Sequence, residues 1–268
     1  MAHDSEIHEI DTGIAEIIHE PDGSMLLMVN GVPSSHIVPG DPGRLDFEYM
    51  RWIAAVVESH AASAAWEKPR LTHLGGAGCS LPRYFAHVWP HSRNTVVEWD
   101  MELAHLAREK FDIPRKPTVK IRVGDAREVT DSFVDASRDV IIRDVFESAT
   151  TPRSLTTLPF YHSCLRSLSS DGLYVANCGS RGDLQEAREE LAGMAEVFPH
   201  IAAIADPPML KGRRYGNIIL LGSAAEIHET PELTRRLLGG GVPAHFKGDA
   251  WAREMAASAA PRHDDSTD

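Results

Sequence analysis

The stretch from Thr72 to Asp144 constrains the fold more than any other part of the chain. It opens with a glycine-rich turn, THLGGAGCSLPR, and continues with three short segments that each carry acidic residues: VVEWD, VGDA and DVIIRD. Each acidic residue lies at or just after the end of a β-branched run, where a parallel sheet presents its carboxyl edge to a ligand. Three carboxylates on one sheet edge beside a glycine turn predict a nucleoside-binding site.

The glycine turn contains Gly75, Gly76 and Gly78. Glycine lets the backbone approach a ligand where a Cβ atom would collide, and the helix that follows offers unpaired N–H groups. Since many α/β proteins contain such a turn, GGAG by itself does not define the ligand.

The acidic residues each have a structural alternative to a binding role. Glu98 ends the second predicted strand, about twenty residues after the turn, which is the length expected of one βαβ unit. A carboxylate there can accept hydrogen bonds from both ribose hydroxyls; the alternative is an unpaired surface residue. Asp125 follows the third strand and can either bind an adenine amino group or cap a helix that starts at Ala126, and both roles can hold together.

The remaining pattern predicts an α/β fold. Strands and helices alternate as far as Ser223, which predicts a Rossmann-like domain over residues 46–230. Residues 145–161, after Asp144, are long and polar enough to predict a loop that can cover a site.

Both ends of the chain differ from this pattern. Residues 1–45 are expected to form a small β element and a linker, with a β-hairpin over 14–29 and a connection over 29–50, and a helix is expected to begin near Leu45 or Asp46. Residues 231–268 are expected to form a short helical segment and a disordered tail, PRHDDSTD.

Composition limits the possible partners and ligands. The net charge of −12 argues against a nucleic-acid or anionic-membrane surface; it suits a cationic substrate, although ordinary solubility explains it equally well. No apolar run approaches the roughly 20 residues of a membrane span, and the N-terminus carries no apolar signal. Three cysteines without paired spacing favour a reducing compartment, so a cytoplasmic location is expected. The 14 scattered histidines lack zinc-enzyme spacing, and no metal is expected.

The order of these motifs resembles the spermidine synthase family of polyamine aminopropyltransferases. GG-x-G, VE-x-D, GDA and DVII-x-D follow one another, and Leu155 and Phe160-Tyr161 keep their distances after Asp144. The hairpin, NGV and DFEYM segments also stand ahead of the sheet, so the resemblance runs from Ile14 to Ser223. It implies a small N-terminal β domain, a class I methyltransferase-like sheet, decarboxylated S-adenosylmethionine as co-substrate, a small-molecule amine as acceptor, and a homodimer or homotetramer.

The resemblance also assigns roles to individual residues. Asp144 would be the catalytic base: an alkylamine with a pKa near ~10.4 is protonated at neutral pH, and a carboxylate can attract the cation and then accept its proton. The donor nucleoside would be bound by Gly75, Gly76, Gly78, Glu98, Trp99, Asp125 and Ala126. The amine would be bound by Tyr49, Glu147 and Tyr215.

Several positions depart from the family pattern. Gly78 stands where the family has an acid that contacts the donor's amine, and Arg51 stands where it has an acid on the first helix; if Arg51 faces the pocket, it would repel a diamine. Ser34 replaces a glutamine, Glu147-Ser148 replaces Asp-Pro, and Tyr215-Gly216-Asn217 replaces a Trp-Gly-Phe type sequence. Three hypotheses follow: aminopropyl transfer, methyl transfer from intact S-adenosylmethionine, and a noncatalytic nucleoside-binding homologue.

Overall fold

A computed structural model describes residues 4–147 and 150–264 of the chain. These residues form a four-stranded antiparallel sheet, an eight-stranded mixed sheet and the helices that cover the second sheet. The strands are β1 (Asp4–Ile10), β2 (Gly13–His19), β3 (Met25–Val29), β4 (Val32–Ile37), β5 (Arg70–Leu74), β6 (Arg93–Glu98), β7 (Val119–Val123), β8 (Arg138–Arg143), β9 (Leu168–Ser180), β10 (His200–Ala205), β11 (Gly216–Ser223) and β12 (His245–Lys247). The helices are α1 (Glu48–Ser63), α2 (Ser80–Val88), α3 (Met101–Lys110), α4 (Ala126–Asp131), α5 (Leu158–Ser167), α6 (Gln185–Val197), α7 (Pro207–Leu210), α8 (Pro231–Leu238) and α9 (Asp249–Ala256).

The N-terminal sheet is larger than the predicted hairpin. β2 and β3 pair antiparallel and confirm the hairpin, but β1 and β4 extend it to the order β1-β2-β3-β4. β4 lies in a segment that was expected to be only a connection. Its strand character is hard to see in the sequence because Pro33 and two serines interrupt the apolar alternation, and only Ser35 and Ile37 are buried.

The main sheet has the order β12-β10-β11-β9-β8-β5-β6-β7. Strands β5 to β9 pair parallel with one another, whereas the pairings of β9 with β11, of β11 with β10 and of β10 with β12 are antiparallel. This arrangement confirms the predicted α/β class with a Rossmann-like sheet.

The central strands are apolar on both faces because helices cover both faces. Ile141 of β8 packs in one core with α4, α5, α6 and α9, and the next residue, Ile142, packs in another core with α1, α2 and α8. Burying each such side chain stabilises the fold by about 1.5–3 kcal/mol. The sheet is therefore a rigid support for whatever lies at its carboxyl edge.

The segment after Asp144 is shorter and more ordered than predicted. A 3₁₀ turn occupies Arg153–Leu155, and α5 begins at Leu158 with a proline in its first turn. Phe160 and Tyr161, which were expected in the loop, are therefore fully buried helix residues. The start of α5 is hard to predict from the sequence because a threonine-rich stretch precedes it. The start of α1 at Glu48, in contrast, is within a few residues of its predicted position.

The residues after 230 pack with the main sheet. β12 pairs with β10, and α9 contacts α6. The prediction of disorder is wrong for residues 261–264, because Arg262 pairs with Thr157 and Asp264 binds Arg127; residues 265–268 lie outside the described part of the chain. Among the described helices, none combines the length and the apolar character that a membrane crossing requires.

Candidate active site

The register of the parallel strands brings the predicted site residues to one edge. Leu74 pairs with Val97 on one side and with Arg143 on the other, so Gly75, Glu98 and Asp144 follow at the same level. Because the carboxyl ends of parallel strands meet at one edge, residues far apart in sequence become neighbours there.

Asp144 is held by two side-chain donors. The Tyr49 hydroxyl donates to Asp144 Oδ2 at 3.0 Å, and Asn177 Nδ2 donates to Asp144 Oδ1 at 2.9 Å. Each carboxylate oxygen keeps capacity for a further donor. Burial raises the pKa of Asp144, and the bonds from Asn177 and Tyr49 and the charge of Arg143 oppose this rise. The carboxylate is thus a better proton acceptor than an exposed aspartate, with its orientation fixed.

The Tyr49 hydroxyl can donate this hydrogen bond because it keeps its proton. Its pKa is raised well above the ordinary value, first by burial and then by the negative charge of Asp144. α1 begins at Glu48, so Tyr49 is the second residue of the helix that leads into the main sheet. The phenol therefore stays protonated throughout the neutral range.

A buried ion pair lies next to Asp144 in sequence. Arg143 is 0% exposed, and its Nη2 lies 2.9 Å from Glu190 Oε2 on α6. The Arg143 guanidinium also donates to the carbonyl oxygens of Leu155, at 3.3 Å, and Asn177, at 3.2 Å, and Tyr161 donates its hydroxyl to Glu190 at 3.1 Å. Arg143 therefore joins the strand that carries Asn177 to the segment that follows the candidate base.

The glycine turn is closed by the Glu98 carboxylate. Glu98 Oε2 accepts the N–H groups of Gly76, at 2.9 Å, and Ala77, at 3.0 Å, and Oε1 accepts that of Asp100 at 3.1 Å. A Cβ atom on Gly75, where φ is +88°, would lie 2.2 Å from the carbonyl oxygen of Asp144. Glycine is thus required for the turn to approach the edge, and Glu98 retains one acceptor position, on Oε1, for a ligand hydroxyl.

Gly78 is covered by the N-terminal sheet. Its N–H group donates to Ser35 Oγ at 3.0 Å, and a Cβ atom on Gly78 would lie 2.7 Å from Ser35 Cβ. The acid that the family pattern has at this position would collide with β4. The departure at Gly78 is therefore coupled to the packing of Ser35, which the sequence did not reveal.

Asp125 caps α4, and both predicted roles remain compatible. Its Oδ1 accepts the N–H groups of Arg127, at 2.8 Å, and Glu128, at 2.9 Å, while Oδ2 receives no hydrogen bond from the described residues and can accept one. Ala126 is buried, and Trp99 on the neighbouring strand end is 65% exposed. An exposed indole beside two acceptors provides an apolar surface for a nucleobase.

The predicted amine-binding residues differ in their surroundings. Tyr49 contacts Asp144 directly, whereas Glu147 and Tyr215 are exposed on the segments after β8 and before β11. Arg51 donates to the carbonyl oxygens of Leu45, at 3.0 Å, and Asp46, at 2.6 Å. Its guanidinium therefore binds the backbone before α1, and the expected repulsion of a diamine lacks support.

Two functional positions were missed at the sequence level. Asn177 binds Asp144 directly, and Arg143 braces the strand beside it. A polar residue near the carboxyl end of the apolar strand GLYVANCG was a usable signal for Asn177. Arg143 gave a weaker signal, because its partner Glu190 is 47 residues away.

The cysteines and acidic residues show no competing centre in the described part of the chain. Burial raises the pKa of the Cys79 thiol to about 12, and no described group of three or more His, Cys, Asp or Glu side chains could hold a metal ion.

Comparison with known proteins gives the class first. No family model matches the chain. A spermidine synthase in complex with the transition state analogue AdoDATO superposes with a TM-score of 0.64 at 19% identity, covering 88% of this chain and 79% of the other. The human methyltransferase-like protein 13, in complex with SAH, has a TM-score of 0.56 at 23% identity, covering 82% and 95%. These likenesses show the fold: the main sheet is a class I methyltransferase-like sheet, as predicted.

A closer match gives the family. A probable spermidine synthase from Corynebacterium glutamicum has 54% identity and a TM-score of 0.95, covering 99% of this chain and 98% of that one. The chain belongs to the spermidine synthase family. A polyamine aminopropyltransferase from Neisseria meningitidis is 31% identical over 119 residues, and this match covers 44% of either protein. The chain thus matches less than half of the length of this curated relative.

Proposed function

We propose that the protein transfers an aminopropyl group from decarboxylated S-adenosylmethionine to a small amine, with Asp144 as the base. The observation that carries this proposal is the Asp144 carboxylate: it is oriented by Tyr49 and Asn177, and its pKa is raised by burial. It stands beside the glycine turn and Glu98, on the edge where the fold can receive a nucleoside. Its place in the spermidine synthase family supports the same reaction.

The reaction needs only a deprotonated amine and an oriented donor. The amine nitrogen attacks the methylene carbon beside the sulfonium, a C–N bond forms, and the C–S bond breaks. The electron pair of that bond remains on sulfur, so the positive sulfonium becomes a neutral thioether, methylthioadenosine. The proton lost by the amine passes to Asp144, whose negative charge also attracts the cationic acceptor beforehand.

The donor nucleoside fits the acceptors that the fold leaves available. We assign the ribose to Glu98 Oε1 and the adenine amino group to Asp125 Oδ2, with Ala126 and Trp99 beside the ring. Gly75 and Gly76 would let the backbone approach the sulfonium side. Gly78 would contribute through its lack of a side chain, because its N–H group is already bonded to Ser35.

Gly78 also gives methyl transfer a specific argument. The family acid that contacts the free amine of the decarboxylated donor is missing, and Ser35 fills the space next to Gly78. Intact S-adenosylmethionine, whose carboxylate an acid would repel, is therefore the second candidate donor.

On the acceptor side, we assign Tyr49, Glu147 and Tyr215 to the amine. Tyr49 would orient Asp144 toward the amine, and Glu147 would attract the far end of the cation. The net charge of −12 is compatible with a cationic acceptor.

Calorimetric titration with the decarboxylated donor, the intact donor, AdoDATO and methylthioadenosine tests the proposal. We expect micromolar or tighter binding of the decarboxylated donor and AdoDATO, and release of methylthioadenosine when a diamine is added. A clear preference for the intact donor, with methylated product, would establish the second candidate instead. Binding of nucleosides without turnover of any amine would leave only the noncatalytic hypothesis.

We further propose, by likeness to the family, that the protein is a homodimer or homotetramer in the cytoplasm. Sedimentation velocity of the purified chain and fractionation of its native cells test these two points. A monomer across the micromolar range would refute the first, and recovery outside the cytoplasmic fraction would refute the second.

A further inference from the structure

Residues 261–264, which we call the strap, run beside the start of α5. Thr157 and Arg262 form a parallel bridge, and the N–H group of Leu158 donates to the carbonyl oxygen of Arg262 at 2.9 Å. Arg153 donates to the carbonyl oxygen of His263 at 3.3 Å. The strap is thus bonded to the segment that follows the candidate base, through the Arg153 side chain at the 3₁₀ turn and through backbone groups at the start of α5.

Arg262 fixes one end of the strap to α6. Its Nε donates to Glu189 Oε2 at 2.9 Å, its Nη2 contacts the same oxygen, and its Nη1 donates to Thr156 Oγ1 at 3.0 Å. α6 also carries Glu190, the partner of Arg143. This end is therefore anchored to a helix that packs on the main sheet.

Asp264 fixes the other end to α4. Its two oxygens accept from Arg127 Nη1 at 3.0 Å and Nη2 at 2.9 Å, and Thr157 Oγ1 donates to Asp264 Oδ1 at 2.6 Å. Bidentate arginine–carboxylate pairs are stronger and more directional than single ionic contacts. The Arg127 hydrogen bond lowers the pKa of Asp264, so the carboxylate is charged throughout the neutral range.

Arg127 connects this pair to the nucleoside side of the site. It is the second residue of α4, and its N–H group donates to Asp125 Oδ1 at 2.8 Å. Its guanidinium also donates to the carbonyl oxygen of Ser154 at 3.0 Å. A displacement of Arg127 would therefore move both the start of α4, where Asp125 and Ala126 lie, and the segment beyond Asp144.

We propose that Asp264 is a positioning residue for the donor nucleoside: by holding Arg127 it fixes the start of α4 against residues 153–158. The inference rests on the proposed nucleoside site and extends it to a part of the chain that the motifs do not include. Asp264 acts through Arg127 and not by touching the nucleoside.

The test compares Asp264→Asn with the unmodified protein by calorimetry and steady-state kinetics. The change keeps the size of the side chain but removes the charge that the guanidinium binds. We expect the dissociation constant and KM for the decarboxylated donor to rise about three- to tenfold, with KM for the amine unchanged. Asp264→Glu should restore most of the donor affinity, since the charge returns.

Glu232→Gln provides a matched control. Glu232 pairs with Arg235 on α8, an exposed carboxylate–arginine pair at another part of the surface. The control should leave donor affinity unchanged. A lower melting temperature of Asp264→Asn with unchanged donor affinity would show a purely structural role and overturn the inference.

Hydrogen exchange on the unmodified protein provides a second measurement that needs no variant. Donor binding should slow amide exchange in 126–131 and 153–158 together. Protection of neither segment in a protein that binds the donor would overturn the inference while leaving the proposed function intact. Failure of the unmodified protein to bind any adenosyl ligand would instead refute the proposed function.

Discussion

The Tyr49 hydroxyl donates to Asp144 Oδ2 at 3.0 Å, across a sequence separation of 95 residues. This contact joins the first helix to the carboxyl end of β8, and it orients the carboxylate without neutralising it. Asn177 holds the other oxygen. The Asp144 carboxylate is therefore held in one orientation, and its raised pKa makes it a better proton acceptor than an exposed aspartate.

Replacing the base should separate binding from chemistry. Asp144→Asn is expected to lower turnover about 10²–10⁴-fold, the usual contribution of a general base, because the amide cannot accept the amine proton. Nucleoside affinity should change little, since Glu98 and Asp125 are untouched. Single-turnover assays together with titration of methylthioadenosine measure the two effects, and retention of most turnover would refute Asp144 as the base.

The same substitution should have a pH-dependent effect on stability. Because the pKa of Asp144 is raised above its ordinary value of 3.8, the folded protein binds this proton more tightly than the unfolded chain does. Charging Asp144 therefore costs stability as pH rises from about 3.8 to the folded pKa, at about 1.4 kcal/mol for each tenfold difference in proton affinity.

Asp144→Asn removes that cost. Its unfolding free energy relative to the unmodified protein should increase through this pH window and level off above it. Urea unfolding of both proteins at several pH values measures the difference, and a difference that is flat or falls with rising pH would contradict the assignment.

Removing the tyrosine hydroxyl should shift the pH profile. The bond from Tyr49 lowers the pKa of Asp144, so Tyr49→Phe should raise this pKa further and move the acid limb of kcat/KM to higher pH. Turnover near neutral pH should fall about tenfold, from the loss of one hydrogen bond to a charged group. Tyr84→Phe is the control, because Tyr84 donates to Glu58 at 2.6 Å, in a pair outside the candidate site. An equal shift of the acid limb in both variants would contradict the assignment of Tyr49 to the site.

Truncating Glu98 should affect the turn and the ligand together. Glu98→Ala leaves the N–H groups of Gly76, Ala77 and Asp100 without their acceptor, which should reduce stability and weaken every nucleoside ligand by about 1–3 kcal/mol. Titration calorimetry and thermal unfolding measure both effects. Glu109→Ala, an exposed acid on α3, should change neither quantity, and unchanged nucleoside affinity in Glu98→Ala would place the ligand elsewhere.

Removing one partner of the buried ion pair should destabilise the fold more than replacing both partners. Arg143→Met leaves Glu190 charged and without its cation, which should cost about 3–5 kcal/mol of unfolding free energy. Exchanging both residues for methionine should cost less than Arg143→Met alone, because no uncompensated charge remains. Urea unfolding of the two single variants and the double variant measures the coupling, and additive losses would show that the two side chains stabilise the fold independently.

The sequence by itself determined the elements of the site. The glycine turn, the β-branched runs and the acids after them were sufficient to predict the Rossmann-like sheet, because local periodicity and turn chemistry act over a few residues. They also placed Glu98, Asp125 and Asp144 on one edge, since the carboxyl ends of parallel strands necessarily meet there. The assignment of these residues to individual parts of a ligand remains a prediction.

Only the tertiary structure decided how those residues are held. The bond from Asn177 to Asp144, the contact of Ser35 with Gly78 and the pair of Arg143 with Glu190 each depend on a partner that a different element supplies. The strap shows the same limit: PRHDDSTD has the composition of a disordered tail, yet Arg262 and Asp264 find charged partners on α6 and α4. Composition measures the average cost of ordering a segment, whereas particular long-range contacts decide whether that cost is offset.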